Sequence, residues 1–163
     1  MPIVADSIRI NAAPDGPFAL SQHCNLRTEW DPAVRSMRFL DGARDPAVGV
    51  RVRVRVWAGL TLEVQFVSFR PPASAAMKMT YGPWFFRRFA GTCLVKPVPG
   101  GATEVTFRYA FATRWRWLAW LLDPLIGRIL LWDLRAKLRG LKWGVEQARL
   151  PGRLIPMCGE ELP

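Results

Sequence analysis

Few side chains in this 163-residue chain have the chemistry for proton transfer. His23 is the only histidine and adjoins Cys24. Neighbours in sequence rarely face each other on a helix, so we expect a structural role for this pair. Asp31 lies between Trp30 and Pro32, where an Asx turn explains it better than acid–base work. We therefore predict no catalytic residue.

Two further polar groups are also expected to be structural. Asp123 could cap a continuing helix or meet Arg128, and capping is the favoured interpretation. Cys93 is expected to be a small buried residue rather than a nucleophile, because nothing in the sequence places cations around it. Three widely spaced cysteines, one histidine and the lack of a glycine-rich phosphate loop predict no disulfide framework, metal site or cofactor.

The positive charge is concentrated in the second part of the chain. The net charge is +10, and residues 71–163 hold fourteen basic and six acidic side chains. Such an excess is typical of proteins that bind an anionic partner, so nucleic acid, a membrane surface and an acidic ligand are all candidate partners. No recognisable nucleic-acid module appears, so a nucleic-acid partner is disfavoured.

The N-terminus and the apolar segments indicate where in the cell the protein is expected. Residues 1–6 contain no basic segment followed by an apolar core, and the thiols are expected to be reduced, which favours the cytoplasm. The most apolar stretch, residues 115–132, is interrupted by charged residues, glycine and proline. A membrane-spanning helix is therefore not predicted, and a peripheral position at the inner face of the membrane stays open.

Hydrophobic periodicity predicts a sheet followed by a long helix. Alternation and turn residues indicate seven strands, at residues 7–13, 35–40, 50–56, 60–69, 75–81, 88–98 and 103–113. Two short helices fit between residues 18 and 37, and a long one runs from about 117 to 149 with a break or kink at Asp123-Pro124. Connections this short favour a curved antiparallel meander.

This order of elements resembles the helix-grip fold of the START-related, birch-pollen-allergen-like superfamily, also called SRPBCC. The segments SIRINAAP (7–14), WDP (30–32) and LRGLKWGVE (138–146) resemble its polyketide cyclase/dehydrase and lipid-transport branch. The resemblance implies an α+β fold in which a seven-stranded curved antiparallel sheet wraps around a long C-terminal helix, with two short helices after the first strand. It implies one domain over residues 1–150, and residues 151–163 are expected to form an irregular tail.

The resemblance also implies an apolar cavity between sheet and helix. Residue types alone favour a filled core, whereas the resemblance favours a cavity with a hydrophobic ligand. Alternation assigns the inward positions, and we predict ligand binding by Val54, Leu62, Val64, Met77, Met79, Tyr81, Phe89, Cys93, Phe107, Tyr109, Phe111, Leu122, Leu125, Ile126 and Ile129.

One end of the predicted sheet collects both tryptophan and arginine. Alternate turns of a meander lie at the same end, and here they form a set that we call the rim: Trp57, Trp84, Phe85, Phe86, Arg87, Arg88, Arg114, Trp115, Arg116 and Trp117. Indoles and basic residues suit the interface of an anionic membrane. The alternative is that these aromatic rings fold back and cap the end of the barrel.

Two functions remain in view. The first is a noncatalytic carrier of a hydrophobic small molecule, such as a lipid, isoprenoid or polyketide, which works at a membrane surface. The second is an enzyme of the polyketide cyclase or aromatase kind, with Tyr81, Tyr109 and Arg114 as candidates. The enzyme is less favoured because the inward positions include no histidine or carboxylate to act as a general base.

Overall fold

The computed structural model describes residues 1–147 and has the expected α+β order of elements. The predicted tail at 151–163 and the last predicted helical residues, Ala148 and Arg149, lie outside the described residues. The strands and helices are β1 (Ile3–Ile10), α1 (Asp15–Gln22), α2 (Arg27–Trp30), β2 (Val34–Phe39), β3 (Arg51–Val56), β4 (Thr61–Arg70), β5 (Ser74–Tyr81), β6 (Phe86–Val98), β7 (Ala102–Thr113) and α3 (Ala119–Glu146).

All seven strands form one antiparallel sheet in the order β1-β7-β6-β5-β4-β3-β2. Strands β2 to β7 follow one another as a meander, and β1 pairs with β7 at the edge of the sheet. Pro99, Gly100 and Gly101 join β6 to β7, and the two glycines have φ angles of 90° and 72°, a left-handed conformation that glycine adopts without strain. The predicted helix-grip arrangement, a curled antiparallel sheet with a long C-terminal helix, is confirmed.

Strand β3 shows why alternation predicted this region well. Val52 is fully buried, whereas Arg53 on the opposite face pairs with Glu63 of β4, with 2.6 Å between Nη2 and Oε1. Arg53 and Glu63 are also direct partners in the strand register. Apolar side chains therefore cover the inner face, and cross-strand ion pairs cover the outer one.

Bulges interrupt the same alternation in β4 and β5. Met79 lies opposite Val64, but Tyr81 lies opposite Glu63, so Thr80 is an extra residue in β5. One extra residue moves the following side chain to the other face of the sheet. The inward orientation predicted for Tyr81 is therefore wrong: its side chain is 64% exposed.

Helix α3 is continuous, so the predicted break at Asp123-Pro124 is wrong, whereas the alternative of a kink there stays a prediction. Pro124 lies in the second turn, where its missing N–H removes a single backbone hydrogen bond near the helix start. Asp123 does not cap the helix either. Its carboxylate accepts a hydrogen bond from the Thr113 hydroxyl at 3.0 Å, and Leu118 occupies the N-cap position without a side-chain bond.

The two halves of α3 are packed differently. The five buried residues of the helix all lie between Leu134 and Gly144, and none lies in the half formed by residues 119–133. Along its length α3 contacts β1, β7, α1 and α2. The C-terminal half is thus embedded in the core, while the N-terminal half borders a space above the middle strands.

The closest approach in this packing is at Gly140. A Cβ atom built there would overlap the Trp30 carbonyl oxygen and would lie 3.1 Å from the Trp30 carbonyl carbon. Both atoms belong to the backbone of the last residue of α2, so they cannot rotate away. Gly140, the first of the two glycines in the LRGLKWGVE segment, is therefore required for contact between α3 and α2.

We expect Gly140→Ala to lower the free energy of unfolding by about 1–3 kcal/mol or more, as overpacking does in close-packed cores. Urea denaturation at equilibrium measures the change. Gly16→Ala in α1 is the matched control, because a Cβ there meets nothing within 4 Å, and alanine is the better helix former. Equal stability of the Gly140→Ala variant and the natural chain would contradict this packing.

Candidate ligand-binding pocket

A pocket of about 500 Å³ lies between the N-terminal half of α3 and the inner face of β2 to β7. Its lining is mainly aliphatic and aromatic, and the solvent-exposed side chains of Trp57, Trp84 and Ile129 border it. The pocket exists because α3 is embedded only beyond residue 133. A site of this size and lining is typical of small-molecule pockets.

Most residues predicted to bind a ligand meet at this pocket. Strand alternation and the helical period bring together residues that are far apart in sequence. They are Val54, Leu62, Val64, Met77, Phe89, Cys93, Phe107, Tyr109, Leu122, Ile126 and Ile129. Their role in ligand binding stays a prediction.

The other four predicted residues do not line the pocket. Tyr81 is turned outward by the bulge, and Leu125 lies on the solvent side of α3 because the helical period directs Leu122 and Ile126 toward the sheet. Phe111 is fully buried as a core residue beneath α3. Met79 folds over Gly82 at the end of β5.

The inner end of the pocket is polar, which alternation did not predict. Lys137 is 7% exposed, and its ammonium donates a hydrogen bond to the Tyr109 hydroxyl. Its Nζ atom also lies 3.4 Å from Oδ2 of Asp133 and 3.6 Å from Oδ2 of Asp31. Arg27 completes the group, with 2.9 Å between its Nε atom and Asp31 Oδ2. We call these five residues the polar cluster.

These contacts determine the charge state of the polar cluster. Burial opposes ionisation of Asp31, but Lys137 and Arg27 and the Ala33 N–H outweigh it, so the pKa of this carboxyl is lowered. Burial alone would lower the pKa of Lys137, yet the carboxylates Asp31 and Asp133 raise it. Burial raises the pKa of Tyr109. At neutral pH the amine is therefore charged and the phenol is neutral.

One sequence signal pointed toward the polar cluster. Lys137 lies three residues after Leu134 and directly before Leu138, within the buried stripe, and four residues after Asp133. A search restricted to apolar periodicity discards such a lysine. The Asx turn predicted at Asp31 is present, since Oδ1 accepts the Ala33 N–H at 3.1 Å, but its second oxygen belongs to the cluster.

The other groups considered for chemistry, His23 and Cys93, are buried. Burial lowers the pKa of His23, whose Nδ1 accepts the Leu26 N–H at 3.3 Å. Cys93 lines the pocket, and burial raises the pKa of its thiol to about 11. A thiol with that pKa is protonated at neutral pH and is a poor nucleophile. Among residues 1–147, no group of three or more His, Cys, Asp or Glu side chains is placed to hold a metal ion.

The aromatic part of the rim lies at the pocket border, since Trp57, Trp84, Phe85, Phe86 and Trp115 line the pocket. Trp84 packs edge-on against Trp115 with 5.1 Å between ring centroids, and Arg114 donates its backbone N–H to the Phe85 carbonyl. Phe86 folds into the core, whereas the indole rings of Trp57, Trp84 and Trp117 and the side chains of Arg87, Arg88, Arg114 and Arg116 are exposed. The alternative that the aromatic rings fold back therefore holds for only part of the rim.

The exposed apolar surface is larger than the predicted rim. It continues from the segment just before α3 into the N-terminal half of the helix, where Trp117 and Trp120 are 74% and 77% exposed. Leu121, Leu125, Ile129 and Trp132 follow along the helix and are exposed as well. We call these six residues the outer face of α3. No helix among the described residues is long and apolar enough to cross a membrane.

Residues 1–146 match a family model described as polyketide cyclase / dehydrase and lipid transport. The chain belongs to this family. Among curated proteins, no sequence matches it. The SRPBCC superfamily predicted from the order of elements is confirmed as well.

Solved structures show the same fold at low sequence identity. A START superfamily protein from Mycobacterium smegmatis is 14% identical, with a TM-score of 0.72 over 90% of this chain and 98% of that one. Ara h 8.0201 is 12% identical, with a TM-score of 0.68 over 88% and 97%. The di-domain ARO/CYC protein BexL, from a biosynthetic pathway, is 17% identical, with a TM-score of 0.72 over 93% of this chain and 48% of that one.

Proposed function

We propose that this protein binds a hydrophobic small molecule in the pocket beneath α3. The observation that carries the proposal is an apolar space of about 500 Å³ that remains between a continuous helix and the sheet. Membership of a family described by polyketide cyclisation and lipid transport supports it. A ligand of this kind would transfer its apolar surface out of water, worth about 0.8 kcal/mol per methylene.

Gly91 is the position at which the pocket can be filled without disturbing the fold. It lies in β6 directly opposite Tyr109, and a Cβ built on it would be 3.5 Å from the tyrosine ring, an ordinary contact distance. A side chain at this position enters the pocket because Gly91 shares its face with Tyr109. Valine also suits a strand better than glycine does.

We expect Gly91→Val to weaken binding of the apolar dye phenylnaphthylamine at least about fourfold. This factor corresponds to the free energy lost when the dye no longer buries the surface of one methylene group. Dye fluorescence during titration measures the affinity, and native mass spectrometry of a detergent-free preparation shows whether a cell-derived ligand is present. Ala90→Val places the same side chain on the opposite face of β6 and should bind like the natural chain. Absence of dye binding and of a bound ligand in the natural chain would refute the proposal.

We further propose that the rim and the outer face of α3 dock on an anionic membrane. Exposed indoles suit the headgroup region, and arginines attract anionic lipid. Arg87, Arg88 and Arg116 line a surface groove of about 320 Å³ beside the start of α3, which puts the cations next to the exposed tryptophans. This arrangement supports a lipid surface as the partner, because aromatic and cationic groups occupy the same end of the molecule.

The double variant Trp117→Ala/Trp120→Ala should bind anionic vesicles at least about tenfold more weakly. Removal of each indole takes away apolar surface whose burial contributes roughly 1.5 kcal/mol to the free energy of binding. Co-sedimentation with vesicles containing phosphatidylglycerol measures the binding. Trp143→Ala is the control, because this exposed tryptophan lies in the other half of α3. Failure of the natural chain to sediment with these vesicles would show that the surface has another role.

A cyclase or aromatase is the second candidate, and the polar cluster is the observation that favours it. Asp133, Lys137 and Tyr109 all line the pocket, so a carboxylate is present that the sequence alone did not indicate. Of the tyrosines and arginine considered for this role, Tyr81 and Arg114 are exposed. Conversion of a polyketide thioester to a ring product, lost in Asp133→Asn, would distinguish the enzyme from a carrier.

A further inference from the structure

The ammonium of Lys137 is surrounded by protein oxygens. It donates hydrogen bonds to the Tyr109 hydroxyl and to Asp133 at 3.4 Å, and Asp31 lies 3.6 Å away as an ion-pair partner. A protonated amine has three donors and no acceptor. Two of the three donors of Lys137 are therefore engaged in protein hydrogen bonds, and its charge is directed to the carboxylates of Asp31 and Asp133.

The Tyr109 hydroxyl has a donor of its own that faces the pocket. Its oxygen accepts the hydrogen bond from Lys137, and its own hydrogen has no acceptor within residues 1–147. Burial raises the pKa of this phenol, so the hydrogen is retained at neutral pH. Tyr109 also lines the pocket. A donor polarised by a neighbouring cation is thus available to whatever occupies the pocket.

The polar cluster is also balanced in charge. Two cations, Arg27 and Lys137, lie against two carboxylates, Asp31 and Asp133. An ionised carboxylate or phosphate brought to this end would add a charge with no counterion, which is costly in an apolar site. An uncharged oxygen acceptor adds none and satisfies the free donor.

We infer that the pocket takes an apolar ligand with an uncharged carbonyl oxygen, such as a ketone or ester, and that this oxygen accepts a hydrogen bond from the Tyr109 hydroxyl. The inference rests on the proposed function, because it assigns a chemical class to the ligand of the same pocket. Tyr109 selects the ligand, and the surrounding apolar side chains hold its chain.

The test compares three probes of similar chain length, namely methyl decyl ketone, dodecane and dodecanoate, each displacing phenylnaphthylamine from the protein. In Tyr109→Phe, ketone affinity should fall about threefold to tenfold, the worth of one hydrogen bond, while dodecane affinity is unchanged. Tyr81→Phe is the matched control, because it removes the same hydroxyl from the other tyrosine, which lies outside the pocket. This variant should bind all three probes like the natural chain.

A second measurement needs no variant. The carbonyl stretching band of isotope-labelled methyl decyl ketone bound to the natural chain should lie below its position in hexane, because a hydrogen bond weakens the carbonyl bond. A band at the hexane position, equal losses for ketone and dodecane in Tyr109→Phe, or tighter binding of dodecanoate than of ketone would overturn the inference and leave the proposed function intact. Failure of all three probes and the dye to bind the natural chain would overturn the proposed function itself.

Discussion

The contact between Gly140 and the Trp30 carbonyl fixes the position of α3, and the pocket depends on that position. A continuous helix of 28 residues is a rigid body, so holding its C-terminal half against α1, α2 and the edge of the sheet also determines where its N-terminal half lies. That half is held at a distance from the middle strands, and its residues are not buried. The space beneath it follows from where the helix is anchored, and it does not require a special loop or a distorted strand.

The polar cluster lies where the embedded half of α3 meets the half above the pocket. Leu134, Leu138 and Leu141 fill the core on one side of the helix, while Lys137 reaches the inner end of the pocket. Buried ion pairs contribute little net stability, because desolvation offsets most of their attraction. An apolar residue at this position would pack as well and would extend the core. The cluster therefore makes one end of an otherwise apolar space polar without a net charge, and under the proposed function this end would orient the ligand.

The sequence predicted the fold because the elements that define it have strong local patterns. When one face of a sheet is buried, the alternation of valine and arginine in β3 permits only one orientation of the strand, with valine inward and arginine outward, as Val52 and Arg53 show. The bulge at Thr80 could not be predicted, since it depends on the pairing of β5 with β4, and Tyr81 was misplaced as a result. Lys137 was missed for a different reason: a charged residue within an apolar stripe is read as exposed unless its partners are known, and Asp31 is more than a hundred positions away in sequence.

The outer face of α3 and the pocket are two sides of one helix segment, which connects the two parts of the proposed function. Ile129 is exposed and also lines the pocket, and Trp57 and Trp84 do the same from the loops of the rim. An apolar surface of this extent is unfavourable in water unless something covers it. If the proposed lipid surface covers it, the border of the pocket lies at the depth of the headgroups, and an apolar ligand passes from the bilayer into the pocket without crossing water. Docking and binding would then share the same side chains, so variants of Trp84 or Ile129 would change both, whereas Trp117 and Trp120 on the outer face and Gly91 within the pocket separate the two.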